Sequence, residues 1–303
     1  MLDYHRTLLA DEIRMAALRA AIARVVRRGD VVVDLGCGTG ILSFLALDAG
    51  AKRVYAIDQG HLADVASFLG RHLGFHDRLT VFHDLSTNVD LPERADVLLT
   101  ETIGAAGLDE NIVGFVLDAK KRFLRDGAAM IPRAIALHAA PVDVAAIHER
   151  SVGFWTNANL GYDFSPVRVF ASNAMQLVEI GEDKQLALDA QLVQLDLASL
   201  ETTLVNGDAH FVATRDGVVH GFALWFHAVL AEDIVLTNRV PKATSWAQAF
   251  LPLDVPVAIS RGVQIALDLQ TDDGKAWRWR GTIDGATFDQ MTVLNRPPCI
   301  RHD

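Results

Sequence analysis

Near the start of the chain, an apolar run ends in an aspartate and a cluster of glycines. Residues 31–40 read VVVDLGCGTG, and Ile41 opens a segment with helical periodicity. Consecutive valines before a glycine-rich turn are typical of a buried strand in a parallel sheet, and glycines let bare backbone turn sharply beside a ligand at the carboxyl edge of that sheet. The run therefore predicts an α/β fold with a nucleotide-type binding loop.

The spacing of the glycines narrows the class of ligand. Gly36, Gly38 and Gly40 form the pattern G-x-G-x-G, whereas the dinucleotide fingerprint requires G-x-G-x-x-G, so the loop disfavours an NAD oxidoreductase. Asp58 ends the next predicted strand, 18 positions after Gly40. A carboxylate there can accept hydrogen bonds from both hydroxyls of a ribose. The loop and Asp58 together predict a ribose-containing cofactor other than NAD.

The pattern along the chain predicts two domains, residues 1–135 and 136–303. In the first, strands alternate with helices. The predicted strands are 30–34, 53–57, 79–82 and 95–100, and the predicted helices are 7–26, 41–49, 63–73 and 110–123. In the second, short β-rich runs at 187–195, 210–213 and 257–269 are separated by turn residues and predict a barrel or sandwich. Residues 146–170 fit neither pattern and are expected to form a protruding arm.

Composition excludes several classes of function. The formal net charge of −10 argues against nucleic-acid binding, which depends on clustered lysine and arginine. No apolar run approaches the roughly 20 residues that span a bilayer, and residues 2–6 contain neither a basic leader nor an apolar segment. We therefore expect a cytoplasmic protein without a membrane span. The two cysteines, Cys37 and Cys299, and the scattered histidines predict neither a disulfide framework nor a metal site.

A second candidate site follows the fourth predicted strand. Residues 100–110 read TETIGAAGLDE, and catalytic loops of open α/β sheets lie at this position. Glu101 and Glu110 could face each other across the loop and hold a planar cation through bidentate hydrogen bonds, for which a guanidinium is the natural guest. The alternative is that Glu110 only complements the positive end of the following helix.

With these residues in view, the sequence resembles the protein arginine methyltransferases over nearly its whole length. The matching stretches are residues 5–14, 33–42, 50–58, 91–92, 122–124, 130–132 and 220–226, with the pair Glu101 and Glu110. The resemblance implies a Rossmann-like class I methyltransferase domain followed by a C-terminal β-barrel domain with a helical dimerisation arm. It also implies S-adenosylmethionine as cofactor, S-adenosylhomocysteine as product, and a homodimer.

The resemblance also implies roles for individual residues. Arg14 would hold the cofactor carboxylate, and Glu101 and Glu110 would be catalytic and bind the substrate guanidinium, with Trp246 also contacting the substrate. The residues implied to bind the cofactor are Arg14, Asp34, Gly36, Cys37, Gly38, Gly40, Ile41, Leu42, Asp58, Gln59, Asp84, Leu85 and Glu101. Cys37 has no basic neighbour in sequence, so we expect it to be structural rather than nucleophilic.

Three positions depart from the family pattern. The family's Thr-His-Trp loop reads Thr-Ser-Trp at residues 244–246, so the histidine that would pair with the aspartate matching Asp11 is replaced by Ser245. Only Tyr4 precedes His5 where the family has a helix with paired tyrosines that closes over the site. An acidic contact of the family aligns with Thr87, which leaves Asp84 as a substitute. The substrate proton could then leave to Glu110, to Asp11 or to water.

The methyl acceptor stays open at this stage. An arginine of a protein or peptide is one candidate, and free arginine or another small molecule is a second, suggested by the reduced lid and by Ser245. A third candidate, from another class, is a dimeric binding module that keeps the cofactor pocket without turnover.

Overall fold

The computed structural model describes residues 2–157, 161–241 and 244–292. Its first half contains a sheet of five parallel strands in the order β3-β2-β1-β4-β5. The strands are β1 (Val31–Leu35), β2 (Arg53–Asp58), β3 (Leu79–His83), β4 (Ala95–Thr100) and β5 (Leu124–Ile131). The four predicted strands are confirmed. Strand β5 escaped prediction because its residues 125–127 are exposed and the segment lacks an apolar period.

The helices of this half flank the sheet. They are α1 (Leu2–Ala10), α2 (Glu12–Val25), α3 (Ile41–Asp48), α4 (Leu62–His72) and α5 (Ile112–Arg122). The prediction of one helix over residues 7–26 is wrong, because Asp11 ends α1 and caps α2 by accepting a hydrogen bond from the Arg14 amide at 2.9 Å. The predicted start of α5 at Glu110 is also wrong, since Asn111 adopts a left-handed conformation with φ of 68° before the helix begins.

Strand order determines where the functional residues meet. Strand β1 is buried along its whole length and pairs with β2 on one side and β4 on the other. The carboxyl ends of three adjacent strands therefore lie side by side at one edge of the sheet. Gly36, Asp58 and Glu101 stand at these ends, so the glycine turn, the ribose candidate and the first glutamate share one edge.

The second half is antiparallel and barrel-like. Its strands are β6 (Ala134–Val142), β7 (Gln176–Val178), β8 (Ala190–Asp196), β9 (Leu204–Val212), β10 (Gly217–Ala231), β11 (Ile234–Thr237), β12 (Gln248–Ile259), β13 (Gln264–Asp272), β14 (Ala276–Ile283) and β15 (Ala286–Met291). They form a sheet of order β7-β12-β10-β6-β8, with β11 on β10, and a sheet of order β15-β14-β13-β9. The predicted single run 257–269 is wrong, because a turn between β12 and β13 divides it. The two sheets and the parallel sheet share one continuous apolar core.

Short helices occupy the segment predicted as an arm. They are α6 (Ala145–His148), a π-helix (Glu149–Gly153), α7 (Phe154–Asn157), a 3-10 helix (Ser165–Val167) and α8 (Arg168–Ser172). The segment exposes apolar side chains, among them Phe154 and Tyr162. Residues 158–160 of the predicted arm, and Cys299, lie outside the described residues. Within the part that is described, no helix is long and apolar enough to cross a membrane.

Candidate functional site

A cavity of about 640 Å³ opens at the carboxyl edge of the parallel sheet. Its lining comes from the ends of β1, β2, β3 and β4, from the acidic loop, and from two distant segments. The predicted residues that line it are Gly36, Asp58, Gln59, Asp84, Leu85, Glu101 and Glu110. Residues that sequence reasoning did not assign to the site also line it: His5, Leu35, Ile57, Ser86, Thr87, Thr102, Asp109, Asn111, Phe115 and Lys275.

The glycine turn is held against the cavity by close packing and by Asp58. Gly36 has a φ of +72°, and a Cβ on it would lie 2.8 Å from Cγ2 of Thr102. Gly38 has a φ of +52°, and its Cβ would lie 2.5 Å from the His5 ring. The Asp58 carboxylate accepts hydrogen bonds from the amides of Gly38 at 2.8 Å and Gly60 at 2.7 Å. Only glycine therefore fits at positions 36 and 38 of the turn. Each Asp58 oxygen retains a lone pair that can accept a hydrogen bond from a ligand.

The other predicted residues of the turn lie behind the cavity and brace it. Asp34 is fully buried and accepts a hydrogen bond from the Ser43 hydroxyl at 2.6 Å, and burial raises the pKa of Asp34 to about 7. Burial also raises the pKa of the Cys37 thiol, which removes thiolate reactivity and fits a structural role. Gly40 caps α3, and Ile41 and Leu42 form its first turn.

Arg14 projects from the first turn of α2 towards Glu101. Its Nη2 donates a hydrogen bond to Oε2 of Glu101, and both side chains are largely buried. Nη1 donates to the carbonyl of Leu8 at 3.1 Å, and the guanidinium lies 5.2 Å from the centroid of the Trp246 ring. The Nε of Arg14 is buried without a hydrogen-bond partner. Arg14 thus fixes one oxygen of Glu101 and keeps one donor unused.

The loop at residues 244–246 contacts the helix cap rather than the cavity. Oδ2 of Asp11 accepts a hydrogen bond from the amide of Ser245 at 2.6 Å, while Oδ1 serves the Arg14 amide. The hydroxyls of Thr244 and Ser245 are buried without partners. Trp246 packs on Arg14 and, at 5.4 Å, edge-on against Phe226, and it does not line the cavity. Trp246 therefore supports Arg14 and does not contact the cavity in which the substrate was expected to meet it.

The acidic loop concentrates carboxylates that are hard to ionise. Burial raises the pKa of Glu101, although Arg14 opposes this shift. Burial, together with the charges of Glu101 and Asp109, raises the pKa of Glu110 to about 7. Asp109 has a pKa raised by burial and turns back to accept a hydrogen bond from the Ala106 amide at 2.7 Å. A planar cation between Glu101 and Glu110 would relieve this repulsion by bonding to both.

A barrel residue holds the acidic loop in place. The amide of Asn238, which is 2% exposed, donates to the carbonyls of Ala105 and Ala247, each at 2.8 Å. Its Oδ1 accepts from the amide of Phe226 at 2.9 Å. Ala105 lies between the two glutamates in sequence. The barrel therefore sets the position of the loop that carries Glu101 and Glu110, a contact that no local sequence signal reveals.

The remaining predicted contacts lie at the far side of the cavity. Asp84 and Thr87 both line it, and Asp84 accepts hydrogen bonds from the amide of Leu85 at 2.7 Å and the side chain of Asn88 at 2.9 Å. Asp84 thus lines the same cavity as Thr87, and its role as a substitute for the family's acidic contact stays a prediction. Across the described ranges, no group of three or more His, Cys, Asp or Glu is arranged to hold a metal ion.

The donor set fits an S-adenosyl cofactor. Asp58 offers carboxylate oxygens for a ribose, and the bare turn at Gly36 allows close backbone approach. The unpartnered Nε of Arg14 is a buried donor for a carboxylate. Bound in this way, the cofactor would supply a methyl group on a positively charged sulfur. The site and the Rossmann-like sheet define an S-adenosylmethionine-dependent methyltransferase.

Comparison with known proteins identifies the family. Residues 133–284 match the arginine methyltransferase oligomerization subdomain, and residues 16–132 match ribosomal protein L11 methyltransferase (PrmA). The chain is 28% identical over 280 residues to protein arginine N-methyltransferase 6 of Xenopus laevis, covering 88% of this chain and 82% of the relative. It is 30% identical over 277 residues to protein arginine N-methyltransferase 1 of Oryza sativa subsp. indica, covering 86% and 70%. The chain belongs to the protein arginine methyltransferase family.

A solved structure gives the same fold. The Trypanosoma brucei PRMT1 enzyme-prozyme heterotetrameric complex with AdoHcy matches this chain with a TM-score of 0.84 at 22% identity, over 95% of this chain and 96% of that chain. The predicted architecture, a Rossmann-like domain followed by a barrel-like one, is therefore confirmed.

Proposed function

We propose that this protein transfers a methyl group from S-adenosylmethionine to a guanidino nitrogen of arginine, either free or within a peptide or protein. The observation that carries the proposal is the pair Glu101 and Glu110 at one cavity, each with a raised pKa. A planar cation with several hydrogen-bond donors can bond to both carboxylates at once, and the guanidinium has one positive charge and five N–H donors in a rigid fork.

The cofactor would lie along the strand ends. Asp58 would accept from the ribose, Arg14 would meet the carboxylate through its spare donor, and the amides near Gly36 would lie against the chain of the cofactor. Gln59 and Leu85 would flank the base, since both line the same cavity. Glu101 and Glu110 line the same cavity at the end of β4 and in the loop after it, so this arrangement would bring the transferable methyl group near them.

The glutamates would activate the guanidinium by orientation and electrostatics. Glu101 is fixed by Arg14, so it offers a pre-set oxygen to the substrate. Hydrogen bonds from two guanidinium nitrogens to the glutamates would concentrate positive charge near the carboxylates and leave the attacking nitrogen its lone pair. Positioning of this kind accounts for most of the rate in transfer reactions that need little covalent help from the protein.

Glu110 is the best candidate for the proton that the substrate loses. Its pKa of about 7 lets it hold a proton near neutral pH. Both oxygens of Asp11 already accept hydrogen bonds from backbone amides, and Asp11 does not line the cavity. The arrangement therefore favours Glu110 over Asp11, with water as the acceptor that Glu110 would pass the proton to.

Membership of the family also suggests how the protein is organised beyond the site. We infer a cytoplasmic homodimer in which the segment 146–170 contacts the partner, with Phe154, Tyr162 and Val169 as exposed apolar side chains that such a contact would cover. The division into a cofactor domain over residues 1–135 and a substrate domain over residues 136–303 is part of the same proposal.

The test is a methyl-transfer assay with labelled S-adenosylmethionine. The acceptors are free arginine, an arginine-rich peptide and an extract of the source cell, each with the wild type, Glu101→Gln and Glu110→Gln. Glu232→Gln, a change in an exposed side chain distant from the acidic loop, is the matched control. The proposal is supported if the wild type and Glu232→Gln transfer label to a guanidino nitrogen and Glu101→Gln and Glu110→Gln do not. Cofactor binding without transfer to any acceptor contradicts it and favours a binding module.

A further inference from the structure

One turn of the barrel is built into the candidate site. The turn joins β13 to β14 and comprises residues 273–275. Oδ1 of Asp273 accepts a hydrogen bond from the amide of Gly114 in α5 at 2.8 Å. A Cβ on Gly274 would collide with the carbonyl of Leu108, so the backbone of the turn lies directly on the acidic loop. The indole of Trp277, which is 2% exposed, donates to the carbonyl of Gly274 at 2.8 Å.

These contacts bring Lys275 to the rim of the acidic cavity. A Cβ on Gly274 would lie 3.0 Å from the Cα of Asp109. Lys275 is the residue after Gly274, and Glu110 is the residue after Asp109. With a spacing of about 3.8 Å between consecutive Cα atoms, the Cα atoms of Lys275 and Glu110 are at most about 12 Å apart. The Nζ of Lys275 also bonds to Oδ2 of Asp273 at 2.8 Å, which holds the ammonium at the rim.

The charge of Lys275 stands out against its surroundings. Among the described residues that line the cavity, five are acidic and Lys275 is the one lysine or arginine. An ammonium at the rim does not favour the binding of cations alone, because its charge repels any positive group that flanks the bound guanidinium. The same ammonium attracts a carboxylate that enters beside the guanidinium.

We propose that Lys275 selects guanidino substrates that carry a carboxylate close to the guanidinium. This inference rests on the proposed function and specifies its substrate class. The carboxylate has two possible sources, the α-carboxylate of free arginine and an acidic residue next to arginine in a peptide. In both, Glu101 and Glu110 bind the guanidinium, while Lys275 meets the carboxylate at the rim and disfavours substrates with basic neighbours.

The test compares matched acceptors that differ in the charged groups near the guanidinium. Arginine is paired with agmatine, which has the same guanidino chain and no carboxylate. A peptide with one arginine between acidic residues is paired with the same peptide carrying lysines instead. Values of kcat/KM are measured for the wild type, Lys275→Glu and Lys275→Gln. Lys52→Glu is the control, because the Lys52 side chain is 61% exposed and that of Lys275 is 63%.

The proposal expects the wild type to prefer the carboxylate-bearing member of at least one pair by roughly three- to tenfold. Lys275→Glu should remove or reverse that preference, Lys275→Gln should reduce it, and Lys52→Glu should preserve it. Preference for arginine over agmatine identifies the free amino acid as the source, and preference for the acidic peptide identifies a protein. Methylation of all four acceptors without preference, or equal effects of Lys275→Glu on both members of a pair, overturns the inference and leaves the proposed function standing. Absence of transfer to every acceptor overturns both.

Discussion

Two cavities of nearly equal size lie at opposite edges of the parallel sheet, and they differ in charge. The cavity at the carboxyl edge measures about 640 Å³, and the one at the amino edge about 660 Å³. The second is lined by four arginines and five acidic residues, and several of these pair with each other: Arg125 bonds to Asp96 at 2.6 Å, and Arg24 to Glu232 at 3.4 Å. The first has one lysine against five acidic residues.

Unbalanced charge, rather than volume, distinguishes the candidate functional site from the other cavity. At the amino edge the four arginines nearly balance the five acidic residues, so this cavity has little net charge with which to attract a ligand. At the carboxyl edge, burial raises the pKa values of Glu101 and Glu110, and the charge of Glu101 adds to the shift of Glu110. Perturbed carboxylates of this kind in a cavity mark a candidate functional site.

Removing one charge at the carboxyl edge should abolish most activity. Glu110→Gln keeps the shape of the side chain but cannot balance a guanidinium or hold its proton, so we expect kcat to fall by about 10² to 10³. Glu232→Gln, at the amino-edge cavity, should leave kcat unchanged. Steady-state methyl transfer measures both. Comparable losses of kcat in the two variants would mean that the difference in charge between the cavities does not identify the functional site.

Releasing the acidic loop from the barrel should have the next largest effect. Asn238→Ala removes the two hydrogen bonds to the carbonyls of Ala105 and Ala247, so the loop would lose its fixed position and kcat should fall about 30-fold. Stability should fall by about 2 kcal/mol, because buried polar groups lose their partners. Affinity for S-adenosylhomocysteine, measured by calorimetry, should change little.

A surface amide provides the control for this experiment. Asn206 bonds to Gln270 at 2.9 Å on the exposed face of the barrel, and Asn206→Ala should leave both kcat and stability near the wild-type values. If Asn238→Ala unfolds no more easily and methylates as fast as Asn206→Ala, the barrel does not position the loop.

The acidity of Glu110 should set the pH dependence. Its folded pKa of about 7 lies above the ordinary value, and the carboxylate form is the one that binds a guanidinium. The value of kcat/KM should therefore rise about fivefold from pH 6 to pH 7 and about tenfold from pH 6 to pH 8, and level off above pH 8. Glu110→Gln should abolish the inflection. A wild-type profile that is flat between pH 6 and 8 would contradict the electrostatic account.

The same pKa values predict an opposite trend in stability. Glu110 and Asp34 hold protons more tightly in the folded state than in the unfolded chain. Their contribution to the free energy of unfolding is fully present below the pKa values of the unfolded chain and is lost as the pH rises through about 7. The thermal midpoint of the ligand-free protein should thus be lower at pH 8 than at pH 6, and Glu110→Gln should reduce the difference. A midpoint that is highest at pH 8 in the wild type would contradict the assignment.

Breaking an ion pair at the amino edge should have the smallest effect. Arg125→Ala removes a bond to Asp96 from a side chain that is 54% exposed, and Asp96 keeps its bond from the Val31 amide at 2.8 Å. We expect a loss of about 0.2 to 1 kcal/mol in chemical denaturation and no change in kcat. A loss of activity here would assign function to the amino-edge cavity.

The sequence predicts those features of the fold and the candidate site that depend on residues close together in the chain. The valines before Gly36 fix strand β1, and the glycines with Asp58 fix the cofactor edge, since each turn requires its residues within a short stretch. The acidic loop was predicted for the same reason, because it directly follows strand β4.

The parts that sequence did not predict depend on contacts between distant segments. Asn238 meets Ala105 across 133 positions, and Asp273 meets Gly114 across 159. The break at Asp11 was missed because apolar residues keep a helical period on both sides of it, and the cap is visible only in its bonds to Arg14 and Ser245. Patterns of period and spacing do not record such pairings.

The most direct test of the central claim measures guanidinium binding itself. Arginine and the two arginine peptides are titrated by calorimetry into protein saturated with S-adenosylhomocysteine, using the wild type, Glu110→Gln and Glu232→Gln. The account predicts that at least one guanidino ligand binds to the wild type and to Glu232→Gln and that Glu110→Gln lowers its affinity at least tenfold, since one charge of the carboxylate pair is lost. Equal affinity for Glu110→Gln and the wild type would contradict the claim that the acidic cavity is the guanidinium site.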